Sequence, residues 1–141
     1  MKLLDVNVVL AAHRTDHPHY GAVGPWFARL TSSADQFWVP DVVWAGFVRI
    51  ATHRRVFEVP TSVDDCFAFV RAVVGQPNHV ALAPSERALG LFEGWCRDAE
   101  ATGDLVPDAY LAALATDHAC TLVSLDRDFA RFDGLSWERP A

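Results

Sequence analysis

The stretch Leu3-Leu4-Asp5-Val6-Asn7-Val8-Val9-Leu10 decides the fold. It reads as a short buried strand that stops at a carboxylate and turns directly into a helix. Two further stretches place an acid at the end of an apolar element: Val106-Pro107-Asp108-Ala109-Tyr110-Leu111 and Leu122-Val123-Ser124-Leu125-Asp126-Arg127-Asp128-Phe129. In an open α/β sheet, ligands bind outside the carboxyl ends of the strands, where Asp5 and Asp126 would both stand. Carboxylates that converge with no lysine among them repel one another, and a hard divalent cation such as Mg²⁺ or Mn²⁺ removes that repulsion. The chemistry such a site suits is phosphodiester hydrolysis.

Outward from these stretches, elements alternate. Strands are expected at Lys2–Leu4, Gln36–Val39, Val80–Leu82, Thr121–Ser124 and Leu135–Glu138. Helices are expected over about Asn7–Ala12, His19–Leu30, Val42–Thr52, a fourth opened by Pro60-Thr61-Ser62, Glu86–Ala101, and a sixth from Pro107 to about His118. A short helical turn follows at Asp126–Phe132. Val23, Trp26, Phe27 and Leu30 recur at helical spacing. Asp41, Ser62 and Ser85 are the expected N-caps, and Gly103 the expected end of helix five. Strands alternating with helices predict an α/β fold: a three-layer α/β/α domain with a mostly parallel central sheet covered on both faces.

The chain has 141 residues, enough for one domain over residues 1–141 with a real core. Hydrophobic residues make up 51% and charged residues 21%, which excludes a disordered chain. No apolar run reaches the roughly 18 residues that span a membrane, and the acid at Asp5 argues against a signal peptide. Cys66, Cys96 and Cys120 show no paired spacing, so no disulfide framework is expected, and a cytoplasmic, reducing setting fits. A formal net charge of −6 is unusual for a simple nucleic-acid binder and fits an acidic metal site, a basic protein partner, or both. The only lysine is Lys2, so phosphate contacts fall to arginine, backbone N–H groups or metal.

Each acid also has a local explanation. Asp5 can be a helix N-cap, Asp108 a first-turn acid favoured by the helix dipole, Asp126 a turn former. Their joint placement is what points to chemistry. Arg49, Arg54 and Arg127 are candidates for RNA phosphates, weighed against solvated helix ends. His13, His17 and His19 read as structural, because Pro18 breaks their helical spacing.

Leu4-Asp5-Val6-Asn7-Val8, Pro107-Asp108-Ala109-Tyr110-Leu111-Ala112-Ala113 and Leu125-Asp126-Arg127-Asp128-Phe129 resemble the motifs of PIN-domain ribonucleases. The size and order of the whole chain resemble the toxin half of VapBC toxin–antitoxin pairs. Gly46–Thr52, followed by Val56-Phe57 and Pro60, is similar to one bacterial branch of those toxins. The resemblance implies a Mg²⁺- or Mn²⁺-dependent endoribonuclease acting on transfer or ribosomal RNA. It implies Asp5, Asp108, Asp126 and Asn7 as catalytic residues, and Asp5, Asp108, Asp126 and Asp128 as metal ligands. It also implies an antitoxin with a basic C-terminal segment, in a homodimer or a toxin–antitoxin hetero-oligomer. The family's glutamate in the helix after strand two falls near Gly46, which offers no side chain. The alternative is therefore a degenerate PIN fold that only binds RNA or protein. Phosphoaspartyl receivers and haloacid-dehalogenase-like phosphatases need a lysine at the site, and Asp5-Val6-Asn7 lacks the phosphatase's second acid.

An apolar helix of the partner is expected along helices two to four, over Trp26, Phe27, Trp44 and Phe47.

Overall fold

A computed structural model describes residues 1–140. The order is β1 (Lys2–Leu4), α1 (Val6–His13), α2 (Tyr20–Thr31), β2 (Phe37–Trp38), α3 (Asp41–Ala51), α4 (Val63–Val74), α5 (Ala88–Asp98), α6 (Leu105–Asp117), β3 (Thr121–Val123), a 3₁₀ turn (Arg127–Arg131) and β4 (Trp137–Glu138). The four strands form one sheet in the order β2-β1-β3-β4, every pair parallel. Parallel strands bring all their carboxyl ends to one edge. The β1→β2 and β2→β3 connections run in opposite directions across that sheet. Right-handed crossovers therefore put α1–α2 and α6 on opposite faces, giving three layers.

Leu3, Leu4, Leu122 and Val123 of the two central strands are fully buried, with Val8, Val9, Phe37, Phe47 and Phe129 around them. Burial of each such side chain contributes ~1.5–3 kcal/mol relative to exposure. Helix α6 is apolar all round: Ala109 and Leu111–Ala115 are all buried, as expected of a helix enclosed by neighbours. Its neighbours are α5 and β3.

Four expectations need correction. No strand forms at Val80–Leu82. The chain touches the sheet edge only at a single bridge between Phe37 and His79, with Val80 N donating to the Phe37 carbonyl. The Asn78 amide, bonded to the Leu30 and Asp35 carbonyls at 2.8 Å each, sets that crossing, and beyond it Ser85 N is tied to Asp117. Asp41 is not a cap: Pro40 occupies the cap position and α3 has no side-chain capping bond. Ser85 does not cap α5, which starts only at Ala88. Helix α5 ends through Glu100 rather than Gly103. Glu100 takes φ +50° while Ala101 N reaches back to the Cys96 carbonyl, a Schellman closure. Ser62 does cap α4, accepting from Asp65 N at 3.1 Å.

Candidate active site

Three elements deliver acids to the carboxyl edge of the sheet. Strand β1 ends one residue before Asp5, whose extended backbone (φ −78°, ψ 163°) turns the chain into α1. Its Oδ1 accepts from Val6 N at 2.6 Å, so the capping role is real. Its Oδ2 accepts from Ser124 Oγ at 2.7 Å and from Asn7 Nδ2 at 3.1 Å. The carboxyl is only 5% exposed. Burial pushes its pKa up; the bonds from Ser124, Val6 and Asn7 oppose the rise, and the nearby charge of Asp126 adds to it.

Ser124 stands at the carboxyl end of β3 and is fully buried. Its hydroxyl is saturated: it donates to Asp5 and accepts from Asn7 Nδ2 at 3.1 Å and Asp126 N at 3.0 Å. Asn7 Oδ1 accepts from Leu125 N at 3.0 Å, which fixes the amide's orientation. The β1–α1 turn and the turn after β3 are thus laced together across more than a hundred residues of sequence. Asp126 begins the 3₁₀ turn, its Oδ1 accepting from Asp128 N at 2.8 Å.

Asp108 sits half-buried in the first turn of α6. Its pKa is raised from 3.8 to about 7, first by burial, then by the charges of Asp5, Asp126, Asp128 and Asp104. A carboxyl so placed is driven to hold a proton unless a cation takes its place. The donors are hard oxygens with no thiolate or imidazole, a set that suits Mg²⁺ or Mn²⁺. Among the described residues no group of three or more His, Cys, Asp or Glu side chains is placed to hold a metal ion. Asp5, Asp126 and Asp128 are the acids whose charges act on Asp108 here, with Asp104 behind them. A Cβ built on Gly46 would meet Val6 Cγ2 at 3.4 Å, so that position faces the start of α1, beside Asp5.

The structure brings Asp5, Asn7 and Asp126 into one bonded network and couples Asp108 and Asp128 to it through charge. Arg127 is exposed and directly follows Asp126. Arg49 and Arg54 lie at and beyond the far end of α3. Reading the residues missed Ser124, although a polar residue closing an apolar strand two positions before Asp126 was the available signal. It also missed Arg139, whose Nη1 donates to the Leu125 carbonyl at 2.6 Å beside the site.

An α/β domain with acids converging on the carboxyl edge of a parallel sheet is the arrangement of the PIN domain, and the PIN-domain family model matches residues 2–135. The chain belongs to this family, in its VapC ribonuclease branch. It is 54% identical to ribonuclease VapC25 of Mycobacterium tuberculosis over 140 residues, covering 99% of each chain. Ribonuclease VapC31 of the same species is also 54% identical, with the same coverage. Ribonuclease VapC43 is 39% identical, over 99% of this chain and 95% of that one. In fold it is similar to VapBC2 of Rickettsia felis bound to a promoter DNA fragment (TM-score 0.71, 15% identity, covering 98% of this chain and 97% of that one). It is likewise similar to VapC20 of M. tuberculosis, described as a sarcin–ricin-loop-cleaving toxin (TM-score 0.69, 13% identity, 96% of each). No helix among the described residues is long and apolar enough to cross a membrane.

Proposed function

We propose that this chain is a metal-dependent endoribonuclease, the toxin of a VapBC-type pair, acting on a loop of a structured RNA such as a transfer or ribosomal RNA. The observation that carries the reading is Asp108, whose carboxyl is pushed up to about 7 by burial and by the charges of Asp5, Asp126 and Asp128. Full-length identity of 54% to named ribonucleases supports it. A bound Mg²⁺ or Mn²⁺ would supply charge neutralisation at the scissile phosphate and a more acidic water.

The chain's own residues supply the rest. Asp5, held by Ser124, Asn7 and Val6 N, offers a carboxylate that cannot rotate. Asp108 and Asp126 bring negative charge from α6 and the β3 turn, with Asp128 beside them. Asn7 keeps the first two carboxylate-bearing turns in register and orients Asp5. Arg127, exposed next to Asp126, is the candidate arginine adjacent in sequence to an acid of the site; Arg49 and Arg54 lie at and beyond the end of α3.

The regulator of such a site presents a basic side chain to the acids in place of metal and RNA, from a segment that also buries apolar surface. Of the four aromatics expected there, Trp44 and Phe47 offer little surface, at 7% and 0% exposed, while Trp26 and Phe27 are half-buried. Phe67, Val63 and Val74 of α4 and Val42 of α3 remain exposed instead. A binding-only role is favoured by the glutamate that the resemblance implies, which falls near Gly46, a residue with no side chain to offer.

The test is cleavage of total transfer and ribosomal RNA by purified protein with Mg²⁺, with EDTA, and by Asp5→Asn and Asp108→Asn. Cleavage that needs Mg²⁺ and disappears in both variants is expected. Tight RNA binding without metal-dependent cleavage would establish the binding-only reading.

A further inference from the structure

A slot of about 160 Å³ opens at the carboxyl end of β2, walled by Trp38, Pro40, Asp41, Pro84, Tyr110 and Leu114. It lies on the same sheet edge as the acids, since β2 is the neighbour of β1 and parallel to it. Helix α6 carries both Asp108 and Tyr110, two residues apart: about 3 Å along its axis but on roughly opposite sides of the helix. The walls are preformed. Trp38 is buried and held edge-on by His118 (centroids 5.3 Å apart, 89°), and Tyr110 is held edge-on by Phe92 (5.4 Å, 83°).

Size and chemistry narrow the occupant. Cavities near 150 Å³ accept one benzene-sized ring. The slot offers no cationic side chain, so it does not suit a phosphate. Its one charge is Asp41, an exposed carboxylate that neither caps α3 nor takes a hydrogen bond or ion pair from any described side chain. A carboxylate only accepts hydrogen bonds, so the ring it favours must present an N–H. Uracil offers a single ring N3–H between two carbonyls, which a carboxylate also meets, whereas cytosine offers an exocyclic amine flanked by no carbonyl on that side, the base group for which Asp is a known acceptor. Loops of RNA are read by splaying single bases into such aromatic-walled recesses.

Resting on the ribonuclease reading, we propose that this slot seats one cytosine of the RNA loop, with Asp41 accepting from its exocyclic amine. Asp41 is then a specificity residue: it chooses the base and leaves the chemistry to the acids.

The experiment has two arms on the full chain. In the first, cytidine and uridine 5′-monophosphates are titrated separately in Mg²⁺ buffer while amide and indole resonances are followed. Cytidine monophosphate should shift Trp38, Asp41 and Tyr110 and bind on the order of tenfold more tightly than the uridine form, the effect of one good hydrogen bond. In Asp41→Asn, whose amide can serve either base, the two should bind with similar affinity. Shifts that map elsewhere, no shifts, or equal affinity in the unaltered protein overturn the proposal. In the second arm, hairpins with C or U at each loop position are cleaved by both proteins. Asp41→Asn should lose discrimination in kcat/KM at one position. Unchanged discrimination with intact cleavage overturns the slot and leaves the ribonuclease standing. Failure of the unaltered protein to cleave any RNA, with nucleotide still titrating the slot, overturns the ribonuclease and leaves the slot.

Discussion

Asp108 carries the electrostatic strain of the site. Its folded pKa near 7 lies above the ordinary value of 3.8, so between those values the folded state holds a proton that the unfolded chain gives up. Stability must therefore fall as pH rises through that window, with the full cost present above pH 7. In EDTA, the melting temperature should be higher at pH 5 than at pH 7.5. Asp108→Asn should flatten that dependence, leaving the residual slope due to Asp5, whose pKa is also raised. The same variant should melt no lower than the unaltered protein at pH 7.5 without metal, while cleaving no RNA. A variant that melts several degrees lower there would show that the carboxylate stabilises the apoprotein rather than straining it. Mg²⁺ should raise the melting temperature of the unaltered protein more than that of Asp108→Asn, because the ion relieves a repulsion the variant has already lost.

At the scale of elements, the site depends on two turns held together by one serine. Removing the Ser124 hydroxyl leaves Asp5, Asn7 and Asp126 N each short of a partner in a buried place. Ser124→Ala should cost about 1–3 kcal/mol in denaturant unfolding, the penalty of unpaired buried polar groups. A smaller cost would mean that water replaces the hydroxyl. Helix α3 offers the opposite experiment. The contact a Cβ at Gly46 would make with Val6, 3.4 Å, is ordinary packing, so Gly46→Glu should fold. A carboxylate there stands near the β1–α1 turn and should tighten Mg²⁺ binding in calorimetric titration. A folded variant with unchanged affinity would show that position 46 does not face the ion.

For the molecule as a whole, the proposed toxin reading pairs a net charge of −6 and an acid-rich edge with a cationic regulator. Burial of Trp44 and Phe47 moves the expected apolar contact outward to α4, where Phe67 is 44% exposed. Phe67→Ser should weaken association with the antitoxin at least tenfold, the loss expected for removing an aromatic anchor, without lowering the melting temperature of the free chain. Changing the antitoxin's basic residue to alanine should abolish inhibition and spare most of the affinity. Association indifferent to Phe67 would place the partner on another face.

The sequence by itself determined the features that depend on neighbours in the chain. Strand β1 stopping at Asp5, Ser62 capping α4, Asp108 in the first turn of α6 and Asp126 opening a helical turn all follow from residues within one turn of each other. The acids were legible for the same reason: a carboxylate at the end of an apolar run is a local anomaly. Where local signs misled, tertiary contacts had overridden them. Val80–Leu82 reads as a strand, yet only one bridge forms, because the Asn78 amide binds carbonyls more than forty residues away and sets where the chain crosses the edge. Trp44 and Phe47 read as surplus apolar surface, yet His13 and Phe69 close over Phe47, and Phe69 over Trp44. Only the tertiary structure decided the strand order β2-β1-β3-β4, the pairing of Ser124 with Asp5, and the pKa of Asp108. Hydrogen bonds across the fold, desolvation and charge proximity depend on distances in space, and those distances exist only once the chain has closed on itself.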